Sequence, residues 1–116
     1  MNGKPPYEVF ELDGQRYVMV TGRDPIFRGI YRGYFCDGAS TPRWLRWLLG
    51  SPFAEPCVRP CIRHDFRYEF RIGSRRDADA GLREDLLSCG ASRLRAWTYW
   101  FWVRVFGWSH WGRPTV

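Results

Sequence analysis

A three-residue turn between two helical patterns constrains this chain more than any other feature of its sequence. Ile72, Gly73 and Ser74 separate one predicted helix, which starts at Pro56 or Pro60 and runs to residue 71, from a second over residues 74–90. Ser74 is a suitable N-cap for the second helix, and glycine before it suits a helix end. Because so short a turn leaves little separation, we expect the two helices to pack antiparallel.

The facing sides of these helices carry polar residues at helical spacing. His64 and Tyr68 share one face of the first helix with Cys61, and Asp79 lies on the Leu82 and Leu86 stripe of the second. Antiparallel packing brings Asp79 towards His64 and Tyr68, as in a histidine general base held in one tautomer by a carboxylate. The alternative is a histidine satisfied by an aspartate in a polar core, and periodicity alone favours that alternative.

The remaining elements predict a small α+β domain. Strands over residues 7–12 and 16–21 flank Asp13-Gly14, a strong hairpin signal, and residues 30–35 form a third short strand. A short helix is expected over residues 43–49, and a last helix over residues 92–106 ends at Gly107. We predict one domain over residues 1–116, with a β-rich part at 1–35 and a helical part at 36–116.

Charge and hydropathy narrow the function classes. The net charge is +6, and Lys4 is the only lysine among 18 basic residues, so planar guanidinium contacts to phosphates or carboxylates are favoured. No helix-turn-helix or zinc-finger pattern is present, so nucleic acid is not the expected partner. Residues 94–106 are too short to span a bilayer, and because no apolar run follows Lys4 we expect no secretory signal. Without export, the four cysteines are expected to be reduced, and no second cysteine pair supports a zinc site.

A second group of oxygen donors suits a cation, although Asp-Gly is also the commonest kind of turn. Asp65 follows His64 but points in a different direction around the helix. Its carboxylate can therefore contact a different group, such as a cation. The loop at residues 37–40 offers Asp37 and several backbone carbonyls, beginning with that of Gly38. Such hard oxygen donors, completed by water, are the ligands that calcium takes.

Several motifs resemble known families. Residues 61–68 read CIRHDFRY, which resembles the Cys-x-Arg-His-Asp-Phe-x-Tyr signature of prokaryotic phospholipase A2. Asp79 stands five residues before Glu84-Asp85, and residues 96–99 and 103–107 are similar to that family's closing helix. The order Asp-Gly-Ala-Ser-x-Pro, His-Asp-x-x-Tyr, Ala-Asp also resembles an uncharacterised family of small phage and prophage proteins, which looks like an intracellular offshoot of the phospholipase fold.

The resemblance implies a role for each matching residue. His64 would be the general base on a water molecule, Asp79 its orienting acid and Tyr68 a brace on that acid. Asp65, Asp37 and the carbonyl of Gly38 would hold calcium, which would polarise an ester carbonyl and stabilise the oxyanion. The helical part would then be a phospholipase A2-like three-helix region.

Two segments are rich in apolar and aromatic residues, and only the first of them is expected to form a contact surface. Next to the candidate site we expect an exposed surface for a membrane or a protein, made of Trp44, Trp47, Leu48, Leu49 and Phe53. On the last helix we expect Leu94, Phe101 and Val105 to face the core. A separate stripe there pairs arginines with tryptophans that pack under them, namely Arg93, Trp97, Trp100 and Arg104.

Two hypotheses on function follow. The first is a phage-encoded, calcium-dependent, phospholipase A2-like ester hydrolase that acts on phospholipid at a membrane surface. The second is a non-catalytic phage virion, tail or assembly protein that uses the same fold to dock other phage structural proteins. Either one would work in the host cytoplasm or in the virion.

Overall fold

The computed structural model describes residues 4–37, 51 and 53–113 of the chain. The predicted short helix at 43–49 and the site residues Gly38, Trp44, Trp47, Leu48 and Leu49 lie outside the described residues. None of the helices in the described ranges has the length and hydropathy that a bilayer span requires.

A β-hairpin opens the fold. Strand β1 (Tyr7–Leu12) pairs antiparallel with β2 (Gln15–Val20) from Tyr7↔Val20 to Leu12↔Gln15. Asp13 and Gly14 connect the strands with φ angles of 54° and 79°, the double positive-φ turn that matches the twist of a hairpin. The predicted hairpin is therefore confirmed.

The third strand is shorter than predicted. Strand β3 (Phe35–Cys36) pairs antiparallel with β2 through Val18↔Cys36, which completes a three-stranded sheet. The extended conformation expected over residues 30–35 is wrong for residues 30–34. Gly33 adopts a φ of 97°, a left-handed conformation that breaks a strand and that glycine adopts without steric cost.

Three helices follow the sheet: α1 (Val58–Glu69), α2 (Arg75–Ser88) and α3 (Arg93–Phe106). Ser74 caps α2 by accepting a hydrogen bond from the backbone N–H of Asp77 at 3.0 Å, and Ser92 caps α3 in the same way. The sheet followed by three helices confirms the predicted α+β class.

Helix α1 ends two residues earlier than predicted, at Glu69. Arg71 and Gly73 adopt φ angles of 50° and 71°, which helical backbone does not tolerate. Ile72 consequently lies beyond the end of the helix and is exposed.

Helix α1 contributes to both clusters of the apolar core. Val58, Ile62 and Phe66 pack against the sheet, while Cys57 and Cys61 at its start pack against α2 and α3. Phe53 joins the cluster on the sheet side and is 8% exposed, so its predicted place on an exposed contact surface is wrong. The ring is held against the strands, with the Arg16 guanidinium 5.8 Å from its centroid.

The face that α3 buries is the reverse of the predicted one. Ala96, Tyr99 and Val103 are buried against α2, whereas Leu94, Phe101 and Val105 are exposed. Helix α3 has apolar residues on almost every side, so its hydropathy pattern alone does not say which side is buried.

Candidate functional site: a buried histidine–aspartate network

The centre of the site is a carboxylate buried between two helices. Because α2 returns antiparallel beside α1, Asp79 faces His64 and Tyr68, as the sequence predicts. Its Oδ1 lies 2.8 Å from His64 Nε2 and accepts a hydrogen bond of 2.5 Å from the Tyr68 hydroxyl. Asp79 is fully buried and His64 is 4% exposed.

The second oxygen of Asp79 is held by arginines. Arg104 donates from Nη1 to Oδ2 at 2.9 Å, and Arg75 Nη1 lies 3.6 Å from the same oxygen. A buried carboxylate is costly unless charges and hydrogen bonds compensate it. These two guanidiniums, together with the His64 and Tyr68 hydrogen bonds, supply that compensation.

The network keeps Asp79 ionised. Burial on its own would raise the pKa of Asp79, but the hydrogen bonds from His64, Tyr68 and Arg104 outweigh it and leave the pKa below its ordinary value. Burial and the hydrogen bond to Asp79 raise the pKa of Tyr68, so its hydroxyl remains a donor.

An ionised carboxylate also selects the tautomer of His64. Because carboxylate oxygens only accept hydrogen bonds, Nε2 must carry the proton that points at Asp79. In the neutral imidazole, Nδ1 then keeps its lone pair and can accept a proton. The arrangement is that of a general base whose orientation is fixed by a neighbouring acid.

Arg75 ties the network to the end of α3. It donates to the backbone carbonyls of Val103 at 2.9 Å and Arg104 at 3.1 Å, and to the Tyr68 hydroxyl at 3.3 Å. These carbonyls belong to the last turn of α3, where backbone donors run out; that of Val103 also accepts from the backbone N–H of Gly107. Arg75 therefore both caps the C-terminal end of α3 and helps to position the Tyr68 hydroxyl.

Two further residues shape the space around Tyr68. A Cβ on Gly107 would lie 2.6 Å from the Tyr68 hydroxyl, so only glycine fits there without displacing it. On another side the ring of Trp111 stands edge-on to that of Tyr68, with centroids 5.1 Å apart. The tyrosine is thus confined to the position from which it reaches Asp79.

Sequence reasoning missed Arg75, Arg104 and Gly107 as members of the site. Arg75 had a usable signal, since it stands four residues before Asp79 on the same helix face. Arg104 was expected to cover a tryptophan, but its guanidinium reaches Asp79 from a separate helix. Nothing in the local sequence around Arg104 or Gly107 shows which residue each would meet.

The residues expected to bind calcium are placed only in part. Asp65 is 3% exposed on α1, and Asp37 directly follows β3, a strand that contacts α1. Their carboxylates have the hard oxygens that suit calcium, which takes six to eight ligands. Within the described residues, His, Cys, Asp and Glu form no cluster of three or more. Asp65 and Asp37 alone supply too few oxygens for calcium, so the predicted site would also need the Gly38 carbonyl and water.

Cysteines near the site do not have the properties of nucleophiles. Burial raises the pKa of the Cys57 thiol and raises that of Cys61 well above its usual value. A nucleophilic cysteine needs a lowered pKa and access to substrate. Cys57 and Cys61 act instead as small core residues.

The fold and the site together define a small α+β domain whose three helices enclose a buried His–Asp–Tyr–Arg network. A family model described as a protein of unknown function (DUF1353) matches residues 16–103, and the chain belongs to this family. The match includes His64, Tyr68, Arg75 and Asp79, and it ends just before Arg104. No curated protein and no solved structure matches the chain.

Proposed function

We propose that this protein is a calcium-dependent, phospholipase A2-like ester hydrolase, encoded by a phage or prophage, that acts on phospholipid at a membrane surface. The observation that carries the proposal is the contact of 2.8 Å between His64 Nε2 and the buried, ionised Asp79. The similarity of residues 61–68 to the phospholipase A2 signature gives this pair its chemistry.

In this proposal His64 activates water. Nδ1 accepts a proton from a water molecule while the water oxygen attacks the ester carbonyl carbon. When the tetrahedral intermediate collapses, the imidazolium returns the proton to the departing alcohol oxygen, so acid and alcohol are released and His64 is regenerated. Asp79 stabilises the transient imidazolium, and Tyr68 keeps Asp79 in position.

In this proposal calcium binds beside the general base. Asp65, Asp37 and the Gly38 carbonyl would hold it, and when bound it supplies positive charge for the developing oxyanion. Asp65 and His64 are consecutive on α1, so the base and this carboxylate keep a fixed relation to each other.

A second candidate is a non-catalytic phage virion, tail or assembly protein. It is favoured by the completeness of the network, because both oxygens of Asp79 have donors and His64 is almost fully enclosed. A buried polar cluster that only stabilises the core also needs a hydrogen-bond partner for each of its polar atoms.

The test compares the two histidines of the chain. Hydrolysis of phospholipid vesicles and of a soluble short-chain ester is measured with calcium for the wild type, His64→Gln and His110→Gln. His110 is exposed in the 3₁₀ turn after α3 and serves as the matched control. Loss of a general base should lower the rate by about 10²-fold or more in His64→Gln and leave His110→Gln unchanged.

Thermal unfolding of each variant shows whether the fold persists. A folded wild type that hydrolyses neither substrate contradicts the proposal and favours the non-catalytic candidate. Equal activity of wild type and His64→Gln excludes His64 as the base.

A further inference from the structure

The outer side of α3 carries a continuous apolar stripe that faces solvent. Leu94 is 80% exposed, Phe101 61% and Trp108, in the turn that follows, 71%. Trp97 and Val105 are also exposed. Residues spaced three or four apart lie on one side of a helix, so these five side chains form one surface, which we call the α3 stripe.

The stripe does not belong to the core of the domain. The buried residues of α3 are Ala96, Tyr99 and Val103, on the opposite side of the helix. A contiguous exposed apolar surface of this kind marks a binding interface more often than an ordinary surface, because its contact with water is unfavourable.

Positive charge flanks the stripe near Leu94 and Trp97. From residue 86 to the end, the sequence contains Arg93, Arg95, Arg104 and Arg113 and no acidic residue. Asp79 neutralises Arg104, but Arg93 is exposed beside Leu94. From α2, the Arg83 guanidinium stacks over Trp97 with 4.4 Å to the ring centroid. A surface that is apolar and positively charged at its margin favours an anionic partner.

We propose that the α3 stripe is a peripheral contact surface for membranes rich in anionic phospholipid. Tryptophan, phenylalanine and leucine enter the boundary between headgroups and acyl chains, and flanking arginines contact the phosphates. A second copy of the chain fits less well, because it would bring a like-charged helix against this one. Nucleic acid fits less well too, because Leu94 and Val105 cannot stack on bases.

This surface does not depend on the proposed hydrolase. It differs from the contact surface predicted near the site, and binding to it needs neither calcium nor His64. Binding is therefore measured in EDTA, and the failure of one proposal leaves the other standing.

The experiment is co-sedimentation with vesicles of phosphatidylcholine alone or of phosphatidylcholine and phosphatidylglycerol at 3:1. At about 0.1 M salt, the wild type should bind the phosphatidylglycerol vesicles about tenfold more tightly or better, since each arginine at an anionic surface contributes roughly a factor of five. The Leu94→Ser/Phe101→Ser variant should lose at least about tenfold in binding, because two large apolar groups no longer enter the membrane.

Leu12→Ser is the matched control, because Leu12 is an exposed leucine on β1, away from the stripe. It should bind as the wild type does. The proposal is overturned if the wild type ignores phosphatidylglycerol vesicles or if Leu94→Ser/Phe101→Ser binds normally. It is also overturned if sedimentation shows a dimer that Phe101→Ser dissociates while vesicles remain unbound.

Discussion

Gly107→Ala should destabilise the protein, although the backbone at this position accepts alanine. Gly107 has φ −78° and ψ −15°, which are helical values. Replacing glycine by alanine in such a conformation ordinarily stabilises by about 0.4–1 kcal/mol through the unfolded state. The new Cβ would nevertheless lie 2.6 Å from the Tyr68 hydroxyl and 3.2 Å from its ring.

The size of the effect follows from what Tyr68 must give up. The ring is confined by Trp111 and His64, at centroid distances of 5.1 and 4.3 Å, so the hydroxyl must move away from Asp79. A hydrogen bond to a charged group contributes about 1.5–3 kcal/mol. After subtracting the backbone gain, we expect a net loss of about 0.5–2.5 kcal/mol.

A double-mutant cycle separates this cause from ordinary crowding. In a Tyr68→Phe background the hydroxyl is absent, so Gly107→Ala should cost little or become stabilising, with a coupling energy of at least about 1 kcal/mol. Guanidinium unfolding measures all four proteins. Gly81→Ala is the control, because its Cβ would meet only the flexible end of Arg67, and it should not couple to Tyr68→Phe. Additivity of Gly107→Ala and Tyr68→Phe would refute the reasoning.

Three further predictions concern single residues. Because the pKa of Asp79 is lowered on folding, its charge stabilises the protein above the unfolded pKa of about 3.9, and this contribution is lost as the pH falls towards the folded value. Unfolding at a series of acidic pH values should show this loss in the wild type and not in Asp79→Asn, and equal profiles would contradict it. Millimolar calcium should raise the melting temperature of the wild type but not of Asp65→Asn, and no shift in the wild type would exclude the metal site. Phe53→Ala should cost about 3–5 kcal/mol of stability, as for a core aromatic, and a loss below about 1 kcal/mol would mean that the ring is not packed.

Local signals predicted the parts of the fold that depend on neighbouring residues. Asp13-Gly14 specified the hairpin, Ser74 specified a helix start, and the short turn before Ser74 brought Asp79 to His64. In each case the physical cause lies within a few residues, so the sequence pattern contains it.

Features set by distant contacts were not predictable in this way. Periodicity gives the angle between Leu94 and Ala96 on α3, but it does not say which of them faces α2 when both sides are apolar. Likewise, Arg104 and Gly107 meet Asp79 and Tyr68 only because α3 packs across the other helices. Their roles depend on tertiary packing, which leaves no local pattern.

The tautomer of His64 is the most direct test of the site, because it requires no knowledge of the substrate. Nitrogen-15 NMR of the imidazole distinguishes a protonated Nε2 from a protonated Nδ1. We predict that neutral His64 is protonated at Nε2, which donates a hydrogen bond to Asp79, and that Nδ1 is the unprotonated nitrogen. A neutral His64 protonated at Nδ1 would contradict the proposed role of His64 as a base positioned by Asp79.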